Sequence, residues 1–282
     1  MYRLSIAKDG GEEIAMTGNP AFDIIKFEGT NPPAANINTA VVAGVDGTRF
    51  TSARINQRNI IITLNIRPPI EKNRTELYSF FKPKEHVKLL YKNAYRDVYT
   101  EGYIESVENS PFGKVQQPTI SIICPNPFWL AKNETVEYFC YSRALFEFPF
   151  SIPSSGIAFS SLEQLTTTVI NGGEAETGGI ITFTAKDDGI INPVFTNLRN
   201  GQYFGVNITM QEDDVIIINT NVGEKSAKMI RAGSVTNLLS SRMAGSSWIV
   251  FEPNENRINI SASDKLTYLD CEVMLVQRFE GV

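Results

Sequence analysis

The chain has 282 residues, enough for two domains that each bury a core, and its 42% hydrophobic and 10% aromatic content is that of a globular protein. Residues 1–130 carry 15 Lys+Arg against 13 Asp+Glu and residues 131–282 carry 11 against 18, so a net of +2 is followed by a net of −7. Neither half has the basic excess of a nucleic-acid binder, and no stretch approaches the roughly 18 apolar residues of a membrane-spanning helix.

The first residues, Met1-Tyr2-Arg3-Leu4-Ser5-Ile6, run into Lys8, Asp9, Glu12 and Glu13. They hold no apolar core of signal-peptide length, so synthesis in the cytoplasm without membrane insertion is expected. Period-two patterning dominates the rest of this half. From Arg58 to Arg67, Ile60, Ile62, Leu64 and Ile66 fall on one face, as in a half-buried strand. Pro68 and Pro69 then introduce a helix predicted over about Ile70 to Phe81, with Ile70, Leu77, Phe80 and Phe81 on one side and Glu71, Lys72, Arg74 and Glu76 on the other. Further strands are predicted over Glu85 to Tyr91, Tyr95 to Val107 and Gln117 to Cys124.

Cys124-Pro125-Asn126-Pro127-Phe128-Trp129 closes this half, because two prolines in three residues remove the donors that a central strand needs. A domain boundary is placed here. Residues 1–130 form a β-domain of sandwich or barrel type with one packed helix, 131–150 form a connecting segment, and 151–282 form a second domain. The connecting segment is too apolar for a free linker, with Tyr138, Phe139, Tyr141, Phe146, Phe148 and Phe150, and is expected to pack as strands or to span the domains. Strands over Val215 to Asn219, Arg257 to Ser261 and Glu272 to Gln277, separated by turn signals such as Asp188-Gly189 and Asn200-Gly201, give the second domain the pattern of a sandwich or jelly roll. A short helix near Ser234 to Leu239 is also compatible with the sequence.

The search for chemistry is mostly one of elimination. His86 is the single histidine, which removes most zinc sites and most triads. Cys124, Cys140 and Cys271 form no CxxC pair and read as buried thiols. No glycine-rich phosphate loop is present. The acidic turns Asp187-Asp188-Gly189 and Glu212-Asp213-Asp214 could supply acid and base for glycoside hydrolysis or oxygen ligands for calcium, but neither has the spacing of a calcium loop, and both read as solvated turns. Trp129, Trp248, Tyr203 and Phe204 are weighed as a sugar-stacking surface, with Trp248 and Tyr203 as the candidate stacking residues. Alternation around Trp248 more simply places it in a sheet. The basic segment Lys82 to Arg96 reads as a solvated strand face or an inter-subunit salt-bridge surface. No catalytic residue, cofactor or metal site is assigned, and the chain is read as a non-enzyme.

Taken in order, several motifs resemble the distal tail protein family of siphophages. These are Asp46-Gly47 followed by the strand opened by Arg58; the helix with Leu77 and Phe80; Leu90-Tyr91, Arg96 and Tyr103; Pro125, Pro127 and Phe128 after Cys124; Asn171-Gly172-Gly173-Glu174; Trp248, Pro253 and Asn256; and the ending Phe279-Glu280-Gly281-Val282. Asn254 stands where the family often has Gly, and Asn is the next best residue for a left-handed turn position. The resemblance implies a homo-hexameric ring built by the N-terminal domain, with a galectin-like or jelly-roll β-sandwich at its periphery. Such a ring joins the tail tube protein to the tail-associated tip or hub protein, bears receptor-binding proteins, and lets DNA pass without gripping it. It implies localisation at a virion tail tip or baseplate after assembly in the host cytoplasm, in a phage or a phage-like bacteriocin particle. A net charge of −5 fits a lumen that should not hold phosphates. The rival readings are a carbohydrate-binding module and, less well supported, a glycoside hydrolase using the turn carboxylates.

Overall fold

The structure, a computed structural model, describes residues 2–112, 115–139 and 165–282. The chain forms two compact units. One comprises Met1–Asn133 together with Arg278–Val282, the other Glu134–Gln277. The second unit is thus inserted in sequence between the body of the first and its last five residues.

The first unit contains β1 (Arg3–Lys8), β2 (Glu13–Ala15), β3 (Phe22–Glu28), β4 (Ala35–Val41), β5 (Thr48–Ile55), β6 (Arg58–Ile66), α1 (Ile70–Phe80), β7 (His86–Lys92), β8 (Asp97–Glu108), β9 (Thr119–Cys124) and β10 (Trp129–Ala131). Its main sheet runs β2-β1-β7-β8-β9-β6-β3, with β10 added beside β8. The period-two reading of β6 holds: Ile60, Ile62, Leu64 and Ile66 are buried, and the first three join Leu4, Ile6, Val87, Leu89, Ile120 and Ile122 in one core. α1 covers that core with Leu77 and Phe80, and Phe81, just past its end, is buried beside them. Asn73 also lies on the buried face, where its Nδ2 donates to the Arg67 carbonyl at 2.8 Å and ties the helix to the end of β6. The predicted basic face of Lys82 to Arg96 is largely paired within the unit, as in Lys88–Glu101 at 3.4 Å and Lys92–Asp97 at 2.6 Å. His86 Nδ1 lies 2.7 Å from Asp9 Oδ1, and its ring stands against Tyr103.

The strands β4 and β5 pair only with each other and stand apart from this sheet.

The second unit contains β11 (Thr135–Phe139), β12 (Leu165–Asn171), β13 (Ile180–Ala185), β14 (Ile190–Ile191), β15 (Val194–Asn197), β16 (Gln202–Gly205), β17 (Thr209–Met210), β18 (Val215–Asn219), β19 (Ser226–Arg231), β20 (Ser234–Asn237), β21 (Asn254–Ser261) and β22 (Leu269–Leu275). A six-stranded sheet runs β11-β22-β13-β18-β19-β20, and a four-stranded sheet runs β12-β21-β15-β16. Their inner faces share a core of Phe183, Ile216, Ile218 and Val273 from one sheet and Phe195, Phe204, Ile258 and Ile260 from the other. Facing sheets with alternating inward residues are the layering of a β-sandwich. β23 (Arg278–Phe279) then returns to pair with β10 of the first unit.

Three sequence expectations are corrected by this fold. Ser234–Asn237 is a strand paired with β19, not a helix, and only Leu239–Ser241 makes a 3₁₀ turn. The Ser234 to Leu239 stretch is too short for helix propensity to outweigh an open sheet edge. Trp248 lies in an irregular segment outside any strand, and alternation there reflects packing of Ile249 and Phe251 on the core rather than a ladder. Of the proposed aromatic surface, Trp129 and Phe204 are fully buried. The aromatic residues singled out between Tyr141 and Phe150, and Cys140, lie outside the described residues. Cys124 and Cys271 are free and buried.

Because Ile62 packs from the middle of β6 between β3 and β9, Ile62→Ala is expected to destabilise the first unit by about 2–5 kcal/mol. Chemical denaturation followed by near-ultraviolet circular dichroism should show the first unit's transition at lower denaturant.

Candidate functional site

The first candidate site grows out of Arg58, the opening residue of β6, which is only 3% exposed. Its guanidinium donates to backbone carbonyls. Nε donates to the Pro127 carbonyl at 2.7 Å, Nη1 donates to the carbonyls of Asn31 at 2.7 Å and Gly29, and Nη2 donates to the Glu280 carbonyl at 2.6 Å. The Trp129 ring lies 5.7 Å away. Burial lowers the pKa of Arg58 from its ordinary value. Four charge-assisted bonds and the aromatic face are what offset desolvation of the cation. Beside it, burial pushes the Cys124 thiol up to about 11, so it carries no thiolate at neutral pH.

This arginine gathers three remote segments: the strand-to-hairpin connection at 29–31, the proline turn at 127, and the chain's last residues. The last residues are held independently as well. Arg96 Nη1 donates to the Gly281 carbonyl, its guanidinium lies 4.5 Å from the Phe279 ring centre, and the Val282 N–H donates to the Thr30 carbonyl at 3.0 Å. Trp129 pairs with Phe279 across β10 and β23. A side chain at Gly281 would press on the Thr30 carbonyl and on Pro32, and one at Gly29 (φ +88°) would meet the Asn59 carbonyl at 2.5 Å. Both positions are therefore tied to glycine by close backbone approach.

Of the motif residues read from the sequence, Arg58, Pro127 and Gly281 thus converge on one clasp. Phe128 lies next to it, with its N–H on Asn126 Oδ1 and its ring 5.9 Å from the Arg278 guanidinium. Pro125 is exposed in the turn. Asp46 and Gly47 (φ +88°) lie elsewhere, in the loop joining β4 to β5. Gly29 and Asn31 were not singled out by sequence, and Glu280 only as part of the chain's ending. Asn31 and Glu280 contribute only a carbonyl, which leaves no side-chain signature; Gly29 alone offered one.

The β4–β5 hairpin rises directly from the clasp. Asn56 N–H donates to the Ala34 carbonyl at its base, two residues before Arg58. Every residue from 35 to 55 is exposed, including Ile37, Val41 at 83%, Phe50 at 61% and Ile55. The register pairs Ala35 with Ile55, Ile37 with Ala53, Thr39 with Phe50 and Val41 with Thr48, with a shift between Asn38 and Thr39 that leaves Thr51 unpaired. This bulge puts Phe50 on the same face as Ile37, Val41 and Ile55. The other face carries Asn36, Asn38, Arg49, Ser52 and Arg54, and Asn38 Nδ2 donates to Ser52 Oγ at 2.9 Å. An amphipathic two-stranded ribbon with its apolar face in water is a surface made to be covered.

In the second unit, the acidic turns behave differently from one another. Asp187 is half-buried, and a hydrogen bond from Lys265 at 3.0 Å lowers its pKa. Asp188 Oδ1 accepts the Glu212 N–H. Asp214 is not the solvated turn residue expected: it is 1% exposed, its oxygens accept from Arg231 Nη2 at 2.5 Å and Nε at 2.9 Å, and Oδ2 also accepts the Gln211 N–H. Burial pushes the Asp214 carboxyl up, but the hydrogen bonds from Arg231 and Gln211 outweigh it and hold the pKa below the ordinary value. No group of three or more His, Cys, Asp or Glu side chains suited to a metal occurs among the described residues.

Asn171, Asn197 and Asn256 are all fully buried and fix the 250–254 segment: Asn171 and Asn197 donate to the Phe251 and Val250 carbonyls, and Asn256 Nδ2 donates to those of Glu252 and Asn254. Asn254 has φ +72°, so Asn does occupy the left-handed turn position there. Tyr203 donates its hydroxyl to the Ala244 carbonyl at 2.6 Å, and the half-buried Trp248 packs on Phe204 with ring centres 5.0 Å apart.

Residues 13–124 match the family model described as the phage tail protein RIFT-related domain. No curated protein matches the chain. Among solved structures, the phage SPP1 Dit protein (gp 19.1), described as a paradigm of the hub adsorption apparatus in Gram-positive infecting phages, is similar with a TM-score of 0.70 at 12% identity, over 98% of this chain and 99% of that one. A chain of the phage P2 baseplate in its activated conformation with Ca is similar with a TM-score of 0.52, again at 12% identity and over 100% of both chains. The same baseplate with Sr gives 0.53.

Arg58→Met should destabilise the first unit by about 3 kcal/mol or more, because four backbone carbonyls in part-buried hydrogen bonds lose a charged donor. Deleting residues 278–282 should remove part of the same network, so the two changes combined should cost less than their sum in a denaturation double-mutant cycle. Asp214→Asn should lower the second unit's stability by about 2–3 kcal/mol at pH 7. Since the folded pKa is depressed, that contribution is fully present above the unfolded value of about 3.9 and is lost as pH falls through the folded pKa. The gap between wild type and variant should therefore close in acid, as read from thermal midpoints across pH.

Proposed function

We propose that this chain, whose residues 13–124 match the phage tail protein RIFT-related domain, is a siphovirus-type distal tail protein and the structural adaptor of a phage tail tip or baseplate. In that reading the chain is a structural tail component and not an enzyme. In this reading, six copies close into a ring through the first unit. The ring stacks under the tail tube protein and holds the tail-associated hub protein below, while the second unit, with a galectin-like or jelly-roll arrangement, offers a platform for receptor-binding proteins. The virion assembles in the host cytoplasm, and DNA passes through the ring without specific binding.

The observation that carries this reading is the uncovered amphipathic hairpin set on a clasped base, in the unit that matches the tail-protein family. A monomer gains nothing from a ribbon that leaves Ile37, Val41 and Phe50 in water. Heterologous contacts repeated head to tail cover such a surface and, when the rotation closes, generate a ring. A carbohydrate-binding role is less well supported, because Tyr203 and Trp248 are engaged with Ala244 and Phe204.

Native mass spectrometry of the purified protein and of the assembled particle should give six copies. One copy per particle would overturn the reading. The purified protein should show no muralytic or glycosidase turnover on host cell walls, and turnover abolished by Asp187→Ala or Asp188→Ala would establish a hydrolase instead.

A further inference from the structure

Between β2 and the face of α1 lies a groove of about 320 Å³ in the first unit. Apolar side chains of Ile14, Leu77 and Phe80 line it, and Glu12, Glu13 and Glu76 rim it. These carboxylates are thinly compensated. Glu12 shares Lys8, at 3.4 Å, with Glu85, which sits closer at 2.9 Å; Glu76 faces Lys72 at 3.9 Å; Glu13 has no ion pair among the described residues. The hairpin offers the complement. Its apolar face is uncovered, and both of its cations, Arg49 and Arg54, lie on β5 along one long side of the ribbon, on its polar face.

We infer that the β4–β5 hairpin of one copy docks, apolar face inward, into the acid-rimmed groove between β2 and α1 of the next copy. Arg49 and Arg54 reach over the ribbon's edge toward Glu13 and Glu76, as long arginine stems allow. This docking rests on the self-assembly proposed above and adds to it which surfaces meet. The placement of the two surfaces suits a head-to-tail contact. The groove takes in Phe22, at the start of β3, while the hairpin springs from beyond Glu28 at its end, a separation of about 20 Å at about 3.3 Å per residue. The hairpin does not fill its own groove, since residues 35–55 are all exposed. Another cleft of the first unit, lined by Tyr2, Arg3, Thr17, Gly18 and Lys92, is basic and would repel the two arginines.

The test mixes a Phe50→Cys chain with a Glu13→Cys chain under mild oxidation. It is carried out on assembled particles if the free chain does not associate, with wild type as control for its own thiols. A covalent dimer formed from the mixture, but not from Phe50→Cys mixed with Arg3→Cys, is the expected result. In parallel, Arg49→Glu/Arg54→Glu should raise the concentration needed for assembly at least tenfold, and Glu13→Lys/Glu76→Lys in the same ring should restore part of the loss. If wild type assembles but no such dimer forms, or if the charge reversals leave assembly unchanged, the hairpin serves a different partner and this inference fails while the ring stands. If wild type remains single in solution and in particles, the ring reading fails and takes this inference with it.

Discussion

A single buried cation held by backbone carbonyls organises the first unit. Arg58 exchanges hydration for four of them, drawn from three distant parts of the chain. Desolvating a guanidinium is unfavourable unless its donors are satisfied together, so the segments that satisfy them are fixed together. The hairpin's root, the proline turn and the chain terminus are therefore one rigid assembly rather than three loops. Glycines at 29 and 281 are part of the same constraint, because backbone must come close enough to leave no room for a side chain. The free carbonyls that two prolines leave in the 125–128 turn become useful here, since the turn has little ladder to feed.

That rigidity gives the β4–β5 hairpin its meaning. A two-stranded ribbon is marginal alone, and this one has no sheet to lean on. Anchored at both strands' roots by the clasp, it presents a defined apolar face at a defined place. The unpaired Thr51 matters as much as the anchor. Without that bulge, the pleat would carry Phe50 to the side of Arg54 and mix the two faces. A preorganised arm spares the ordering entropy that a loose loop would lose on binding.

The second unit solves a different problem with the same economy of charge. Its sandwich leaves irregular backbone between its sheets, around residues 250–254, and three buried asparagines satisfy the carbonyls there. Asp214 and Arg231 tie the turn that precedes β18 to β19: the carboxylate is buried, the guanidinium is partly exposed, and Asp214 Oδ2 also accepts a backbone N–H. A carboxylate so engaged is a structural element.

Much of the fold is determined locally and was legible in the sequence. The alternation of Ile60, Ile62, Leu64 and Ile66 specifies a strand with one buried face. The proline-framed run at 70–80 specifies a helix, and Asn254 accepts a left-handed turn because its short side chain tolerates one. These features come from the period of the backbone and the steric limits of single residues. What only the tertiary structure decided is which remote groups meet. No local pattern distinguishes Arg58 from any charged residue opening a strand, or Asp214 from a solvated turn acid, because burial is a property of what packs on top. The same holds for Trp248, whose alternating neighbours imitate a strand, and for Ser234–Asn237, drawn into a strand by the edge of β19. The apolar face of the hairpin is the limiting case: beyond the Asp46-Gly47 turn the sequence reading singled out nothing between residues 35 and 55, and only the fold shows Ile37, Val41, Phe50 and Ile55 left without cover among the described residues.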